Sequence, residues 1–325
     1  MRVVPMTCRW WIVPLALACL ACAGRQAVVA DPPKSTTAEG LFARDNLIAW
    51  CIVPFDSKKR GPEERAVVLE KLGFKHFAYD WREEHVPTFD AEVAALARHH
   101  VSLDAFWGPG VLNADTQRIL DLLKRHGIKA QLWVVGGGWP DKATGAEQAS
   151  RVKQTAGQLE PLARKAAKIG CTVGLYNHGG WFGEPENQVE IIELLKTRGV
   201  TNLGIVYNLH HGHDHLDRFP ALLAKLKPYL FAVNLNGMDP GGDRVGRKIL
   251  PLGQGSLDLG LLKTIRDSGY RGPIGILGHT LDDAEQRLQD NLDGLDWLLP
   301  QLDGKPAGPP PKPRTPVPPR PASTP

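Results

Sequence analysis

The chain has 325 residues, of which 42% are hydrophobic and 23% are charged, and its formal net charge is +4. This is ordinary globular composition, and it excludes a protein that is disordered or fibrous throughout. Part of the positive charge comes from basic residues close to the C-terminus. The charge therefore does not indicate a basic surface for nucleic acid, and we expect no nucleic-acid partner.

Residues 1–30 are typical of an export signal, with basic residues first, then the apolar run Trp10–Ala23, then small residues suited to cleavage. A membrane anchor is the alternative, but the apolar run is shorter than the ~20 residues that span a bilayer. We therefore expect an exported protein, periplasmic or extracellular, with no membrane span. Lipoprotein cleavage at Cys19 or Cys22 is a weaker alternative, because neither cysteine has a leucine three positions earlier.

Beyond the signal, the sequence predicts a short linker over residues 31–44, one domain over 45–303 and a proline-rich tail over 304–325. Proline cannot donate to helix or sheet ladders, so the tail is expected to be extended, as a disordered linker or a surface arm. Cys51 and Cys171 are predicted on strands at opposite sides of the fold, too far apart for a disulfide. Both are expected to be buried as small hydrophobic residues.

Segments rich in β-forming residues alternate with helical segments eight times between residues 46 and 300. The predicted strands are Leu47–Val53, Phe74–Tyr79, Val101–Phe106, Ile128–Val134, Thr172–Tyr176, Asn202–Tyr207, Leu230–Leu235 and Pro273–Leu277. A doubly wound open sheet shares this alternation. Eight units, with no Gly-x-Gly-x-x-Gly turn after the first strand, favour the α/β fold of a single (β/α)8 TIM barrel.

Proline and glycine mark the predicted helix ends. Pro62 and Pro185 are suited to the first turn of a helix, where the missing N–H costs nothing. Glycines stand just before the next strand, where C-terminal helix caps are expected, at Gly73, Gly127, Gly170 and Gly199.

In a (β/α)8 barrel the active site forms where the strands end, and this sequence places histidine, asparagine and tryptophan there. Amides and imidazoles bind hydroxyl groups while indole faces cover a sugar ring, so the pattern predicts a small carbohydrate ligand. The alternative is that these side chains tie the loops together. The predicted substrate-binding residues are Trp81, Arg82, Trp107, Trp133, Tyr176, Asn177, Trp181, Asn208, Asn234 and Asn236.

Four runs resemble the xylose-isomerase-like TIM barrel superfamily, which includes sugar phosphate isomerases, ketose epimerases and type-two apurinic endonucleases. They are Thr172–Gly180, Gly204–His211, and Gly253–Asp258 with Gly269–Ile276. The resemblance implies a divalent metal held by two glutamates, an aspartate and two histidines, with the glutamates also moving a proton beside a carbonyl. The positions matching those ligands are Tyr176, Asn208, His211, Asn234 and Leu277, of which only the histidine agrees with the family pattern.

Neutral amides lack the negative charge that a hard divalent ion requires, so no cofactor is predicted with certainty. A non-standard divalent metal site built from His178, His211 and His279 is the alternative. Without metal, the candidate acid–base residues are His178, His211, Asp80 and Glu184. For Glu184 the alternative is favourable interaction with the N-terminus of the following helix.

The sequence therefore predicts an exported sugar-active enzyme of isomerase or epimerase type, or a related lyase, that transfers a proton beside a carbonyl. A non-catalytic carbohydrate-binding barrel that has lost the family metal site is the alternative. A DNA repair nuclease is a third hypothesis, which the export signal and the altered ligand positions disfavour.

Overall fold

Eight parallel strands close into one barrel in the order of the chain, in a computed structural model that describes residues 39–137, 139 and 142–320. The predicted single (β/α)8 TIM barrel is confirmed. The predicted signal at residues 1–30 lies outside the described residues. The strands are β1 (Leu47–Trp50), β2 (His76–Tyr79), β3 (Ser102–Pro109), β4 (Gln131–Val135), β5 (Thr172–Tyr176), β6 (Leu203–Asn208), β7 (Leu230–Leu235) and β8 (Ile274–Leu277).

Helices surround the barrel, and they begin and end at the predicted prolines and glycines. Pro62 and Pro185 each occupy the first turn of a helix, and the four predicted capping glycines all have positive φ angles, from 66° to 78°. In the part of the chain that is described, no helix is long and apolar enough to cross a membrane. The helices are α1 (Pro62–Lys71), α2 (Phe89–Arg98), α3 (Ala114–Arg125), α4 (Gly145–Ala167), α5 (Gly180–Gly183), α6 (Pro185–Thr197), α7 (Phe219–Leu226), α8 (Asp258–Asp267) and α9 (Ala284–Leu302).

Aromatic side chains fill the interior of the barrel. Alternate residues of a strand face opposite sides of the sheet, so one set points into the barrel and the other packs under the helices. Trp50, Trp133 and Tyr176 belong to the inward set and are at most 2% exposed. The barrel is therefore a packed core up to the ends of its strands.

Strand β1 is shorter than predicted. It ends at Trp50, and the next residue, Cys51, has a φ of +62°, which a non-glycine residue seldom adopts. The chain leaves the sheet at that residue instead of continuing to Val53. Cys51 and Cys171 are both free and buried, as predicted.

Residues 39–46 belong to the fold, although the sequence analysis assigned most of them to a linker. They form two short 3-10 helices, and Leu41 and Phe42 are buried in the core around the barrel. The Asn46 side chain donates to the carbonyl oxygens of Leu41 (2.7 Å) and Gly272 (3.1 Å). Because Gly272 precedes β8, these residues lie at the end of the barrel where the strands begin.

Residues 304–320 of the proline-rich segment lie against α9 and the loop between β7 and α8, as a surface arm without helix or strand. The buried Asp290 carboxylate accepts from the backbone N–H groups of Arg314 and Thr315, both at 2.8 Å, and from the Thr315 hydroxyl at 2.7 Å. The Arg247 guanidinium donates to the carbonyl of Pro318. Asp290 therefore anchors the arm to α9.

Replacing Asp290 with alanine should destabilise the protein by about 2 kcal/mol, because buried donors of the arm lose a charged acceptor. Urea unfolding would measure the change. The matched control is Asp267→Ala, which removes an exposed carboxylate at the end of α8 and should change the free energy of unfolding by less than about 0.5 kcal/mol. Equal effects of the two substitutions would contradict an anchoring role for Asp290.

Candidate functional site

The floor of the candidate site is a layer of aromatic rings inside the barrel. The Trp50 indole N–H donates to the Tyr176 hydroxyl at 3.1 Å, and the two ring centroids are 5.8 Å apart. Trp50 also packs edge-on against Trp133 at 4.8 Å, and Trp107 packs edge-on against Tyr176 at 5.0 Å. Trp133 is fully buried and donates to Gln131, so it supports this floor from below.

Histidines from three different strand ends meet above this floor. The rings of His178 and His211 have centroids 4.5 Å apart, and His178 lies 5.9 Å from the Trp107 ring. His210 lies 5.9 Å from His279, which follows β8 and is stacked on Phe55 at 3.8 Å. The structure thus brings together the three predicted histidines His178, His211 and His279, and adds His210.

All four imidazoles are held in the neutral form. Burial lowers the pKa of His211 to about 2 and that of His279 to about 4, and it also lowers the pKa values of His178 and His210. Desolvation penalises the protonated, charged ring, and the neighbouring basic groups add to the effect. Each ring therefore presents one N–H donor and one nitrogen acceptor near pH 7.

Lys248 is a site residue that the sequence analysis missed. Burial is the main cause of the lowered pKa values of His178, His210, His211 and His279, and the positive charge of Lys248 adds to it at each ring. Its backbone carbonyl accepts from the His213 side chain at 3.0 Å and from the Asn236 amide at 3.4 Å. The next residue, Ile249, packs against the aromatic interior of the barrel. No strand end signals Lys248 in the sequence, because it lies far along the loop between β7 and α8.

Asp80 is the buried carboxyl group of the site. It follows β2, is 2% exposed, and accepts from the backbone N–H of Val53 at 3.1 Å. Burial raises the pKa of Asp80 to about 7, although the Val53 N–H, the Cys51 thiol and the Arg82 charge all oppose the rise. A carboxyl group with this pKa exchanges protons at neutral pH, as a general acid or base must.

The predicted asparagines form a buried hydrogen-bonded chain across the strand ends. Asn177 accepts from the backbone N–H of Asn208 at 2.7 Å, and the Asn234 amide donates to the Asn208 side chain at 2.6 Å. Asn236 is also buried and donates to the carbonyl of Gly237. Asn177 ties β5 to β6, which agrees with the alternative that these amides hold the loops together.

Two predicted substrate-binding tryptophans are engaged in packing. Trp81 donates to the carbonyl of Trp107 at 2.9 Å and packs edge-on against Phe89. Trp181 is 1% exposed and donates to Gln148 of α4 at 2.6 Å. Both indoles pack with the apolar core between the strands and the helices.

Glu184 and Arg82 differ in their surroundings. Glu184 contacts His215 and Arg218, each at 3.1 Å, and these interactions lower the pKa of its carboxyl group. Arg82 is exposed, and its guanidinium carbon is 5.5 Å from the centroid of the Phe55 ring, which is stacked on His279. Arg82 therefore borders the histidine cluster, whereas the contacts of Glu184 are those of an ion pair.

The side chains at the family metal positions do not fit a hard divalent ion. Tyr176 accepts from Trp50, the Asn208 and Asn234 amides bond each other, and Leu277 is apolar. Within the described residues, no group of three or more histidine, cysteine, aspartate or glutamate side chains is arranged to hold a metal. The predicted set of His178, His211 and His279 is therefore not arranged as a metal site in these residues.

The family model described as "Xylose isomerase-like TIM barrel" matches residues 68–300, and the chain belongs to this family. No curated protein sequence matches the chain at a significant level. The family therefore follows from the domain model together with the observed barrel.

Solved structures share the fold at low sequence identity. The apo form of 3-keto-D-glucoside 4-epimerase from E. coli is 18% identical with a TM-score of 0.58, covering 78% of this chain and 98% of that one. The IOLI protein with a bound zinc atom is 15% identical with a TM-score of 0.62, covering 79% and 99%. A probable 3-DHS dehydratase of petrobactin synthesis from Bacillus anthracis is 13% identical with a TM-score of 0.58, covering 77% and 98%. At these identities the likeness shows the fold alone.

The raised pKa of Asp80 predicts a pH-dependent stability. The folded protein retains this proton up to a pH of about 7, whereas an unfolded aspartate loses it near ~4, so ionisation disfavours the folded state as pH rises. Urea unfolding of wild type and Asp80→Asn at pH 4.5 and 7.5 would measure the effect. The asparagine variant should gain roughly 2 kcal/mol or more relative to wild type at the higher pH. A difference that does not change with pH would contradict a raised pKa.

Proposed function

We propose that this barrel is a sugar-active enzyme of isomerase or epimerase type, which moves a proton at a carbon next to a carbonyl group. The observation that carries the proposal is the pair of neutral imidazoles of His178 and His211, whose rings are 4.5 Å apart above an aromatic floor. Membership of the xylose isomerase-like family supports the same class of reaction.

The proposed chemistry needs a base that removes a proton from carbon and an acid that returns it. One imidazole nitrogen accepts the proton, which leaves an enolate and an imidazolium ion. Isomerisation requires that the proton returns to the neighbouring carbon and that the hydroxyl proton on that carbon moves to the former carbonyl oxygen. Epimerisation requires that a second acid protonates the original carbon from the opposite face. Burial keeps both rings unprotonated at neutral pH, but the pKa of His211 falls to about 2, so the less strongly shifted His178 is the better base of the two. Asp80, with a pKa of about 7, is a second group able to exchange a proton.

The reacting sugar is proposed to lie against the exposed side of the aromatic floor. Trp107 is partly exposed and contacts both Tyr176 (5.0 Å) and His178 (5.9 Å). An indole face covers the apolar side of a sugar ring, while imidazole N–H groups and nitrogens bind hydroxyl groups. The deeper rings of Trp50 and Trp133 are 1% and 0% exposed, so they position this surface from below.

Exchange of carbon-bound protons with solvent tests the reaction. Incubation in D2O with a panel of aldoses, ketoses and 3-keto-glucosides should give deuterium incorporation detectable by mass spectrometry. His178→Gln should slow the exchange by about 100-fold or more, as expected for loss of a general base. The matched control is His126→Gln, which changes a histidine paired with Asp90 on the outer surface and should leave the exchange rate unchanged.

A non-catalytic carbohydrate-binding barrel is the second candidate function. The observation that favours it is the absence of a carboxylate at the positions of Tyr176 and Leu277, where the family pattern has its acid and base. In the same experiment, sugars that bind without any proton exchange would support this second function and overturn the first.

We also propose that the chain is exported, on the basis of the basic, apolar and small-residue regions of residues 1–30. Expression of the whole chain in a bacterial host should place a shortened protein in the periplasm or the medium. Residues 31–325 expressed alone should remain in the cytoplasm. Cell fractionation with mass analysis of the N-terminus measures both, and full-length protein retained in the cytoplasm would overturn the proposal.

A further inference from the structure

Burial alternates along the C-terminal arm. Pro311, Pro313 and Val317 are partly buried and Thr315 is 4% exposed, whereas the residues between them are exposed. Alternation of this kind is typical of an extended chain whose alternate side chains face one surface. The part of the arm that we call the arm segment, residues 308–318, therefore contacts α9 and the loop between β7 and α8 along one continuous edge.

Side chains of the barrel donate to carbonyl oxygens of the arm segment at three places along its length. Proline lacks a backbone N–H but keeps its carbonyl, so a proline-rich chain offers mainly acceptors to a binding partner. The barrel presents the donors that such a chain needs. The three contacts are Trp297 with Gly308 (2.9 Å), Gln254 with Pro311 (3.1 Å) and Arg247 with Pro318.

The few backbone donors of the arm segment are met by a buried carboxylate. Only four residues between 309 and 318 carry a backbone N–H, namely Lys312, Arg314, Thr315 and Val317. Two of these N–H groups, of Arg314 and Thr315, donate to Asp290, which also accepts from the Thr315 hydroxyl. Hydrogen bonds to an ionised acceptor are stronger than those between neutral groups. The surface thus has a carboxylate acceptor near its centre and side-chain donors on both sides of it.

Two buried arginines connect the arm segment to residues 247–249, which border the candidate site. Arg287 of α9 is 1% exposed and donates both to the Thr315 hydroxyl (3.4 Å) and to the backbone carbonyl of Ile249 (3.2 Å). Arg247 is 3% exposed and donates to the arm segment directly. Ile249 packs against the aromatic interior of the barrel. Residues 247–249 therefore lie between the arm segment and the floor of the site.

We propose that α9 and the loop between β7 and α8 form a binding site for an extended proline-rich peptide, and that the arm segment of the same chain is its ligand. Occupancy of this site holds residues 247–249 against the barrel. Proline has little conformational freedom to lose on binding, so a short segment can bind through a few contacts. The inference is independent of the proposed reaction, since binding of the peptide involves no sugar.

A change at Thr315 tests the contacts of the arm segment in the full chain. Thr315→Val keeps the shape of the side chain and removes the hydroxyl that donates to Asp290, so the arm segment should be released more often. Trypsin measures the release, because Arg314 can be cleaved only in the released segment and the other basic residues beyond residue 303 precede proline. The cleavage rate at Arg314 should rise roughly tenfold or more, as expected for loss of one hydrogen bond to a buried carboxylate.

Two matched controls accompany this change. Thr315→Ser retains the hydroxyl and should leave the bond after Arg314 protected. Thr197→Val makes the same substitution at an exposed residue of α6 and should leave the cleavage rate unchanged. If protection of the wild-type protein is lost on dilution, a second copy supplies the arm segment, and the assignment to the same chain is overturned.

A synthetic peptide of residues 308–320 tests the binding site itself. The protein partner is a full-length variant in which the arm segment is replaced by a glycine–serine sequence of equal length. Fluorescence anisotropy should show saturable binding of the peptide, and a peptide with Thr315→Val should bind roughly tenfold more weakly. Hydrogen exchange at the N–H groups of Arg247 and Leu250, which donate to backbone carbonyls of their own loop region, should be faster in the glycine–serine variant. Added peptide should return both rates toward those of the wild type.

Three results would overturn the proposal. They are equal trypsin cleavage in the Thr315→Val and Thr197→Val proteins, no binding of the peptide to the glycine–serine variant, and unchanged exchange at Arg247 and Leu250 after the arm segment is replaced. Each measurement is made without a sugar. A protein that binds the peptide but exchanges no carbon-bound proton of any sugar would overturn the proposed reaction and keep this inference.

Discussion

The arrangement of the site depends on the packing of large aromatic side chains against glycines inside the barrel. A Cβ atom at Gly174 would lie 2.6 Å from Val206 and 3.3 Å from the Trp133 ring, and one at Gly275 would lie 1.8 Å from the Asn234 side chain. Only glycine leaves room for these neighbours, because packed interiors have little spare volume. The strands themselves thus make space for the indole of Trp133 and for the buried amide of Asn234. With the interior filled in this way, a ligand has access only to side chains at and beyond the strand ends.

The packed aromatic rings inside the barrel also affect the pKa values of the ionisable groups above them. His211 packs against the Tyr176 ring at 5.9 Å and the His178 ring at 4.5 Å, and this packing removes water that would stabilise a protonated imidazole. Burial acts in the opposite direction on Asp80, where it stabilises the protonated carboxyl. The same desolvation thus moves the acid and the bases of the site toward their neutral forms. Burial alone therefore accounts for the direction of the pKa shift at each of these groups.

The sequence predicted the eight-stranded barrel, the helix boundaries at proline and glycine, and the location of the candidate residues at or just after the strand ends, because these depend on local patterns. The sequence predicted both Trp107 and Trp81 as substrate-binding residues. Only the packing of Trp81 against Phe89 shows that the Trp81 indole lies under the helices. Lys248 could not be found, because a long loop brings it to the site from outside any strand. The tail was predicted to be a disordered linker or a surface arm, but its anchor at Asp290 was not predicted, because composition describes a proline-rich segment and not the surface that it contacts.

The exchange of carboxylates for neutral side chains changes what the barrel mouth attracts. A cage of acidic ligands attracts a metal cation, and the bound cation then stabilises the negative charge that develops on the substrate oxygen. Here Tyr176, Asn208 and Asn234 carry no charge, and Leu277 is apolar. These positions therefore lack the negative charge that attracts a hard cation to the family site.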